Sequence, residues 1–286
     1  MPRHLRAGWR LLRLLVQALW GLWLVAWRFP RLSSDQQQAR VQAWSLGLLT
    51  CAGITLQLRG RPQRAGPVLL VANHHSWLDI PVLHAARYCR FISKSDLQDW
   101  PIVGTLATAA GTLYIRRESR RDALRMVTSM RDALLAGEVL AVFPEGQTGD
   151  GRALLPFHAN LLQAALDAGA PVQPVGLRFL DGIGGATSDA PSFVGDESFL
   201  GSVWRTLKAP GITAVVHFGA PERALGRDRR AWSQALHAAV DALRHGIIIQ
   251  SGTDASIAIG EYIAGSEEAF ADLMNKTAGE LGMKNS

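Results

Sequence analysis

The apolar positions of this chain fall into three regimes. From Leu11 to Trp27 they are almost continuous, interrupted by Arg13 and Gln17. From Ile54 to Phe218 they come as short runs divided by stretches of helical period. Beyond Ser251 the pattern turns amphipathic and acidic, with Asp254, Glu261, Glu267, Glu268, Asp272 and Glu280 against Lys276 and Lys284. The short runs Ile54–Leu58, Val68–Ala72, Arg90–Ser93, Gly111–Arg116, Val139–Phe143, Val172–Phe179 and Ile212–Phe218 predict strands. Between them Asp79–Arg87, Ser119–Ala136 and Asn160–Ala168 predict helices, and Arg230–Arg244 a closing one. In Ser119–Ala136, Leu124, Val127, Met130 and Leu134 recur at helical spacing and Gly137 supplies the stop. Alternating strands and helices predict an α/β sheet with crossovers and function at the strand ends.

The first regime points to a membrane. Arg3, Arg6 and Arg10 precede the apolar stretch, and Arg28 and Arg31 follow it. Trp9, Trp20, Trp23, Trp27 and Trp44 all fall within its neighbourhood, out of nine tryptophans in the chain. Tryptophan favours the membrane–water interface and arginine favours anionic headgroups. A spanning helix wants roughly 20 apolar residues, and this stretch falls a little short. It carries no small-residue cleavage site of the secretory kind. Pro30-Arg31-Leu32-Ser33-Ser34-Asp35 reads as a turn with a helix cap, and a second helix follows from about Asp35 to Cys51. Two apolar helices joined by a turn predict a hairpin dipping into one leaflet, with a single span as the rival. Packing of both helices on the globular core is the third possibility.

Charge narrows the partners. The 286 residues carry a formal charge of +6, and 48% are hydrophobic, enough for a substantial core. A basic surface suits nucleic acid, anionic lipid or acidic carriers and cofactors. No nucleic-acid-binding motif accompanies the charge, and the tryptophans gather in the apolar N-terminal segment rather than among the basic residues of the middle. No nucleic acid is therefore expected as a partner. Cys51 and Cys89 stand in no metal-ligand spacing, so neither a structural metal nor an oxidising compartment is expected.

The chemistry concentrates where predicted strands end. Val68–Ala72 runs into Asn73-His74-His75-Ser76-Trp77-Leu78-Asp79. A carboxylate beside an imidazole fixes its tautomer and leaves the other ring nitrogen free to take a proton from a hydroxyl. This is the base-and-orienter half of a catalytic triad, sufficient when the substrate brings its own hydroxyl. Spacing alone leaves His75 as a competitor for His74, because it stands four before Asp79. It also leaves open a surface histidine near a helix-capping aspartate.

Four segments in order carry a resemblance. They are Asn73-His74 with Asp79; Lys94, Leu97, Pro101 and Gly104 leading to Gly111-Thr112-Leu113-Tyr114-Ile115-Arg116-Arg117; Phe143-Pro144-Glu145-Gly146; and Pro171-Val172-Gln173-Pro174-Val175. Together they resemble the blocks of the glycerolipid acyltransferases of the lysophosphatidic acid acyltransferase type, over roughly Ile54 to Leu177. The resemblance implies a mixed sheet flanked by helices behind an N-terminal two-helix membrane-associating segment. It implies His74 as general base, oriented by Asp79, within the family's HX4D motif. It implies Arg117 at the acceptor's polar head, Glu145 with Gly146 in acceptor binding, and Pro174 in shaping the site. The partners implied are a lysophospholipid acceptor, acyl-CoA or acyl-carrier protein as donor, and the cytoplasmic membrane surface, with no cofactor. The organisation expected is a membrane-associating segment over 1–52, a catalytic domain over 53–250 and an acidic appendage over 251–286.

One departure bears on the acceptor. Phosphatidic acid-forming members usually continue the third block as Thr-Arg-Ser, whereas Gly146 here is followed by Gln147-Thr148-Gly149-Asp150-Gly151. The arginine expected at 148 is a threonine, which removes a cation from a phosphate pocket unless Arg116, Arg117 or Arg152 suffices. The Thr-Gly-Asp-Gly continuation is similar to the lyso-ornithine lipid acyltransferases. The commoner family activity favours lysophosphatidic acid narrowly over a lyso-aminolipid. His158 and His84 read as packing or surface histidines. A non-catalytic membrane-binding protein on the same fold would show damage to the His/Asp pair, and both residues are present.

Overall fold

The computed structural model describes residues 2–115, 119–195 and 197–264, with Ser266, Ala269, Asp272, Leu273, Asn275 and Lys276 beyond them. Its strands are β1 (Ile54–Gly60), β2 (Val68–Ala72), β3 (Arg90–Lys94), β4 (Leu113–Ile115), β5 (Val139–Val142), β6 (Val172–Asp181) and β7 (Ile212–Phe218). They form one sheet in the order β1-β7-β6-β2-β5-β3-β4. Only β6 and β7 pair antiparallel; the other neighbours are parallel, so the sheet is mixed. The helices are α1 (Arg3–Trp23), α2 (Ser34–Ala52), α3 (Asp79–Ala86), α4 (Val103–Ala109), α5 (Arg120–Leu135), α6 (Gln163–Asp167), α7 (Phe199–Lys208) and α8 (Arg229–Ala264).

The apolar run of β2 follows from burial on both faces. Val68, Leu70 and Ala72 pack in a core with Leu49 of α2, Val82 and Leu83 of α3 and Leu207 of α7. Leu69 and Val71 point to the other face, among Met130 and Leu134 of α5 and Trp232 and Leu236 of α8. A strand covered twice is apolar at every position instead of alternating. Each large aliphatic side chain so buried stabilises the fold by roughly 1.5–3 kcal/mol.

The N-terminal helices form a hairpin against the domain. α1 passes through a π-helical turn at Leu24–Arg28 and a 3-10 turn at Phe29–Arg31. Ser33 then caps α2: its hydroxyl accepts from the Gln36 N–H, and the Gln36 side chain accepts from the Ser33 N–H. Gln17, the polar interruption of the first apolar stretch, donates to the Trp44 carbonyl while the Trp44 indole donates to the Gln17 carbonyl, each at 2.9 Å. Arg10 turns inward and donates to the carbonyls of Leu207 and Ala209 at 3.0 and 2.6 Å, where α7 ends. Outward, Trp9, Val16, Leu19, Trp20, Trp23 and Trp27 remain exposed. The run Arg3–Arg31 is long and apolar enough to cross a bilayer by length and composition.

The expected strands are all present within a few residues of their predicted bounds. Two helices fall where none was expected, α4 and α7. α8 runs unbroken through position 250, so the backbone carries no interruption where the composition turns acidic.

Candidate active site

β2 and β5 lie side by side and parallel, with Val71 opposite Val142. Their C-terminal ends therefore deliver the His74 loop and the Glu145 loop to the same edge of the sheet, where open α/β sheets place their ligands. Asn73 ties that edge to the next strand. Its amide donates to the Leu177 carbonyl at 2.9 Å and accepts from the Leu177 N–H at 2.7 Å.

Asp79 sits in the first turn of α3, fully buried. One carboxylate oxygen, Oδ2, takes three bonds: from the His75 N–H at 2.6 Å, from the Ser76 N–H at 2.9 Å, and from the ring of His74 through Nδ1 at 2.8 Å. The loop folds into a closed bracket around its own carboxylate. A carboxylate facing Nδ1 requires the proton there, which places the lone pair on Nε2. The His74 ring stacks on Phe143, with centroids 4.1 Å apart and planes 8° from parallel, so its orientation is fixed on two sides. The His74 side chain keeps 18% of its surface open, against none for Asp79.

His75 occupies a different place. It is buried, and its Nε2 lies 2.9 Å from the Ser192 hydroxyl. Burial pushes its pKa down, with Asp79, Asp189 and Asp150 opposing and Arg178 reinforcing that shift. Its ring does not reach the Asp79 carboxylate, so the base-and-orienter geometry belongs to His74.

Phe143-Pro144-Glu145-Gly146 is a tight turn, closed by the Gly146 N–H on the Phe143 carbonyl at 3.1 Å with proline in its second position. Gly146 holds φ +75°, a conformation L side chains rarely adopt. The turn aims Glu145 back under the histidine. Its two oxygens accept from the N–H groups of His74 at 2.6 Å and Leu155 at 2.8 Å. Burial raises its pKa and these two bonds oppose the rise. The Gly149 N–H in turn donates to the His74 carbonyl at 2.9 Å, so both backbone polar groups of His74 are held by the glutamate loop. The ring of His158 lies against Gly146.

Thr148 is half-buried, and its hydroxyl donates to the Phe193 carbonyl. Ser76 donates to the Pro191 carbonyl at 2.5 Å. With His75 on Ser192, three side chains of the His74 and Glu145 loops grip the segment 190–193, and Arg205 of α7 also holds it through the carbonyls of Ala190 and Ser192. The glutamate loop has a further anchor. Arg178 and Arg244 both donate to the Gly151 carbonyl, and Arg244 also to that of Arg152.

The structure thus brings together His74, Asp79, Glu145, Gly146 and Thr148. Arg116 and Arg117 lie outside the described residues. Pro174 stands in β6 opposite Val71, beside the end of β2. Asn73, Ser76 and Ser192 acquire positions in the site that their sequence context did not announce. The signal for Asn73 and Ser76 was their membership of the same short motif. Among the described residues no group of three or more His, Cys, Asp or Glu side chains could hold a metal ion.

Residues 54–178 match the sequence profile of the family described as Acyltransferase. A lyso-ornithine lipid O-acyltransferase of Pseudomonas aeruginosa is 37% identical over 245 residues, covering 83% of this chain and 93% of that protein. A 1-acyl-sn-glycerol-3-phosphate acyltransferase of Neisseria gonorrhoeae is 36% identical over 220 residues, covering 77% of this chain and 83% of that protein. The crystal structure of a 1-acyl-sn-glycerophosphate acyltransferase from Thermotoga maritima matches with a TM-score of 0.57 at 18% identity, over 83% of this chain and 96% of that one, a likeness of fold. A second profile, D-alanyl-D-alanine carboxypeptidase, matches residues 212–286. That stretch opens with β7 and the core-forming part of α8. None of its serines has a lysine three positions later, the nucleophile spacing of penicillin-binding serine enzymes.

Proposed function

The chain belongs to the lysophospholipid-type acyltransferases, and on that premise we propose that it acylates the free hydroxyl of a lyso-ornithine lipid at a membrane surface. His74 Nε2 takes the hydroxyl proton while Asp79 steadies the imidazolium that forms. The acceptor oxygen attacks the thioester carbonyl of acyl-CoA or acyl-carrier protein. The C–O bond forms, the C–S bond breaks, and the departing thiolate recovers the proton from His74. A thioester is already activated, so positioning and a base carry the reaction.

The observation that favours this acceptor is Thr148. Its hydroxyl is spent on the Phe193 carbonyl, at the position where phosphatidic acid-forming members carry an arginine. A pocket short of one guanidinium is less suited to a phosphomonoester and more to an acceptor without one. The relative that shares 37% identity over 93% of its own length bears that activity in its name. Lysophosphatidic acid is the second reading. Arg116 and Arg117 favour it, since they follow β4 directly, as do the relatives at 36% identity.

Glu145 acts as a positioning residue for His74, because both of its oxygens already serve backbone N–H groups. The segment over 1–52 seats a hairpin in one leaflet on the cytoplasmic face, and 53–250 form the catalytic unit.

The test is acyl transfer from labelled acyl-CoA and acyl-carrier protein by detergent-purified protein, with lyso-ornithine lipid and lysophosphatidic acid offered side by side. Preference for the aminolipid supports the reading, and Thr148→Arg should then move selectivity toward lysophosphatidic acid. Transfer to lysophosphatidic acid alone in the unaltered protein overturns it.

A further inference from the structure

α4 begins from an unusual turn. Pro101, Ile102 and Val103 form a γ-turn in which the Val103 N–H donates to the Pro101 carbonyl at 2.7 Å. Ile102 at its centre has φ +66° and ψ −60°, a strained conformation for a β-branched residue. The turn is pinned on both sides. The Gly104 N–H donates to the Trp100 carbonyl at 2.9 Å, and Gly104 lies so close to the Gln98 carbonyl that a Cβ there would meet it at 2.1 Å. The result is a rigid tip whose side chains are apolar and open to solvent: Trp100 at 47%, Ile102 at 40% and Val103 at 38%. Strain that presents apolar groups outward calls for something to cover them.

The tip has two neighbours. On one side α4 packs on the N-terminal hairpin: Leu106 lies where a side chain on Gly21 of α1 would meet it at 3.0 Å. The exposed tryptophans at 20, 23 and 27, on α1 and the π-helical turn after it, belong to that same end of the hairpin. On the other side an aromatic path leads to the catalytic loop. Trp100 meets Phe199 edge-on at 6.0 Å, and Phe199 meets Trp77 edge-on at 5.4 Å, three residues from His74. Leu200, next along, is 77% exposed.

We propose that the Trp100–Val103 tip is a second membrane contact of the globular domain, inserted in the leaflet that holds the N-terminal hairpin and placing the path to His74 at the lipid surface. This rests on the membrane reading of the hairpin. The occupant is a bilayer because the tip adjoins the hairpin and because the substrate is a lipid that must leave a leaflet next to His74. Asp96 and Asp99 stand exposed on the preceding turn, so the contact is apolar in origin and should persist at high salt and on zwitterionic lipid.

The test uses the full chain with Cys51→Ser and one environment-sensitive fluorophore on Val103→Cys, Trp27→Cys or Leu135→Cys. Leu135 is exposed on α5, across the sheet from the hairpin. Each protein is mixed with phosphatidylethanolamine/phosphatidylglycerol and phosphatidylcholine vesicles. A blue shift and brightening at 103 and 27 but not at 135 is the expected result. A shift at 27 with none at 103 overturns the second contact and leaves the hairpin reading standing. No shift at either removes both. A response at 103 only to acyl-carrier protein overturns the bilayer as occupant. A second arm keeps the label out of the question. Ile102→Asn with Val103→Ser should lose most activity on lysolipid presented in vesicles and keep activity on lysolipid in detergent micelles. An equal loss in both, or none, contradicts the proposal.

Discussion

Asp79→Asn separates the charge of the orienting carboxylate from its geometry. Oδ2 accepts the His75 and Ser76 N–H groups and the His74 ring, and Oδ1 has no hydrogen-bond partner among the described residues. An asparagine can keep its oxygen where Oδ2 is and put its amide where Oδ1 is, so the bracket survives. What it loses, in the proposed mechanism, is the anion that faces the imidazolium as the hydroxyl proton is taken. Opposite charges about 4 Å apart are worth about 4 kcal/mol at an effective dielectric near 20. A neutral hydrogen bond in the same place retains about 1 kcal/mol. The difference of about 3 kcal/mol corresponds to a fall of about 10²-fold in kcat. Acceptor KM should change little, because the carboxylate is buried beneath the imidazole and does not meet substrate. Stability should fall by about 1–2 kcal/mol through weaker bonds to the two N–H groups. Steady-state transfer with thermal unfolding of the same preparations makes the measurement. A folded Asp79→Asn within a few-fold of wild-type kcat, or a loss confined to KM, would refute the reasoning.

Three further outcomes follow from other parts of the structure. His84 is buried against Phe91, its Nδ1 has no hydrogen-bond partner among the described residues, and burial pushes its pKa down to about 4. A depressed folded pKa gives stability that is whole above the unfolded value near 6.5 and is lost as pH falls toward 4. The drop in melting temperature between pH 7 and pH 5 should therefore shrink in His84→Leu; an unchanged drop would mean other groups govern it. Arg10→Met removes guanidinium bonds to the carbonyls ending α7, and the folded state should lose about 2 kcal/mol of stability, seen as a lower melting temperature. Ser192→Ala frees the 190–193 segment from His75. Acceptor KM should rise about tenfold with kcat near wild type, whereas an equal loss in kcat would place that segment in the chemistry itself.

What was legible in the sequence was whatever local pattern decides. β2 ends where its apolar run ends, because a strand covered on both faces is apolar at every position. The pairing of His74 with Asp79 was legible too, because the two stand five positions apart, one on the loop after β2 and the other in the first turn of α3. α4 and α7 were missed for physical reasons. α4 has seven residues, follows a proline and contains Gly104, Thr105 and Thr108, all weak helix formers. α7 carries Gly201 and Thr206 in its body, yet Ser198 caps it, which was the available signal. The strand order depends on pairings between distant segments and is not written in any local period. The same holds for Asn73, whose partner Leu177 is 104 residues away, and for Arg10, whose partners lie about 200 residues on. Arg10 reads as one of several basic residues flanking an apolar helix, and only the fold shows it turned toward the domain.

The most direct test of the account is transfer of a labelled acyl group by His74→Ala, compared with wild-type protein at matched folding by circular dichroism and melting temperature. A positioned base supplies about 10²–10⁴-fold. The expected result is a loss in that range in kcat, with thioester donor still bound and the fold intact. A folded His74→Ala that transfers acyl groups at a rate close to wild type would contradict it.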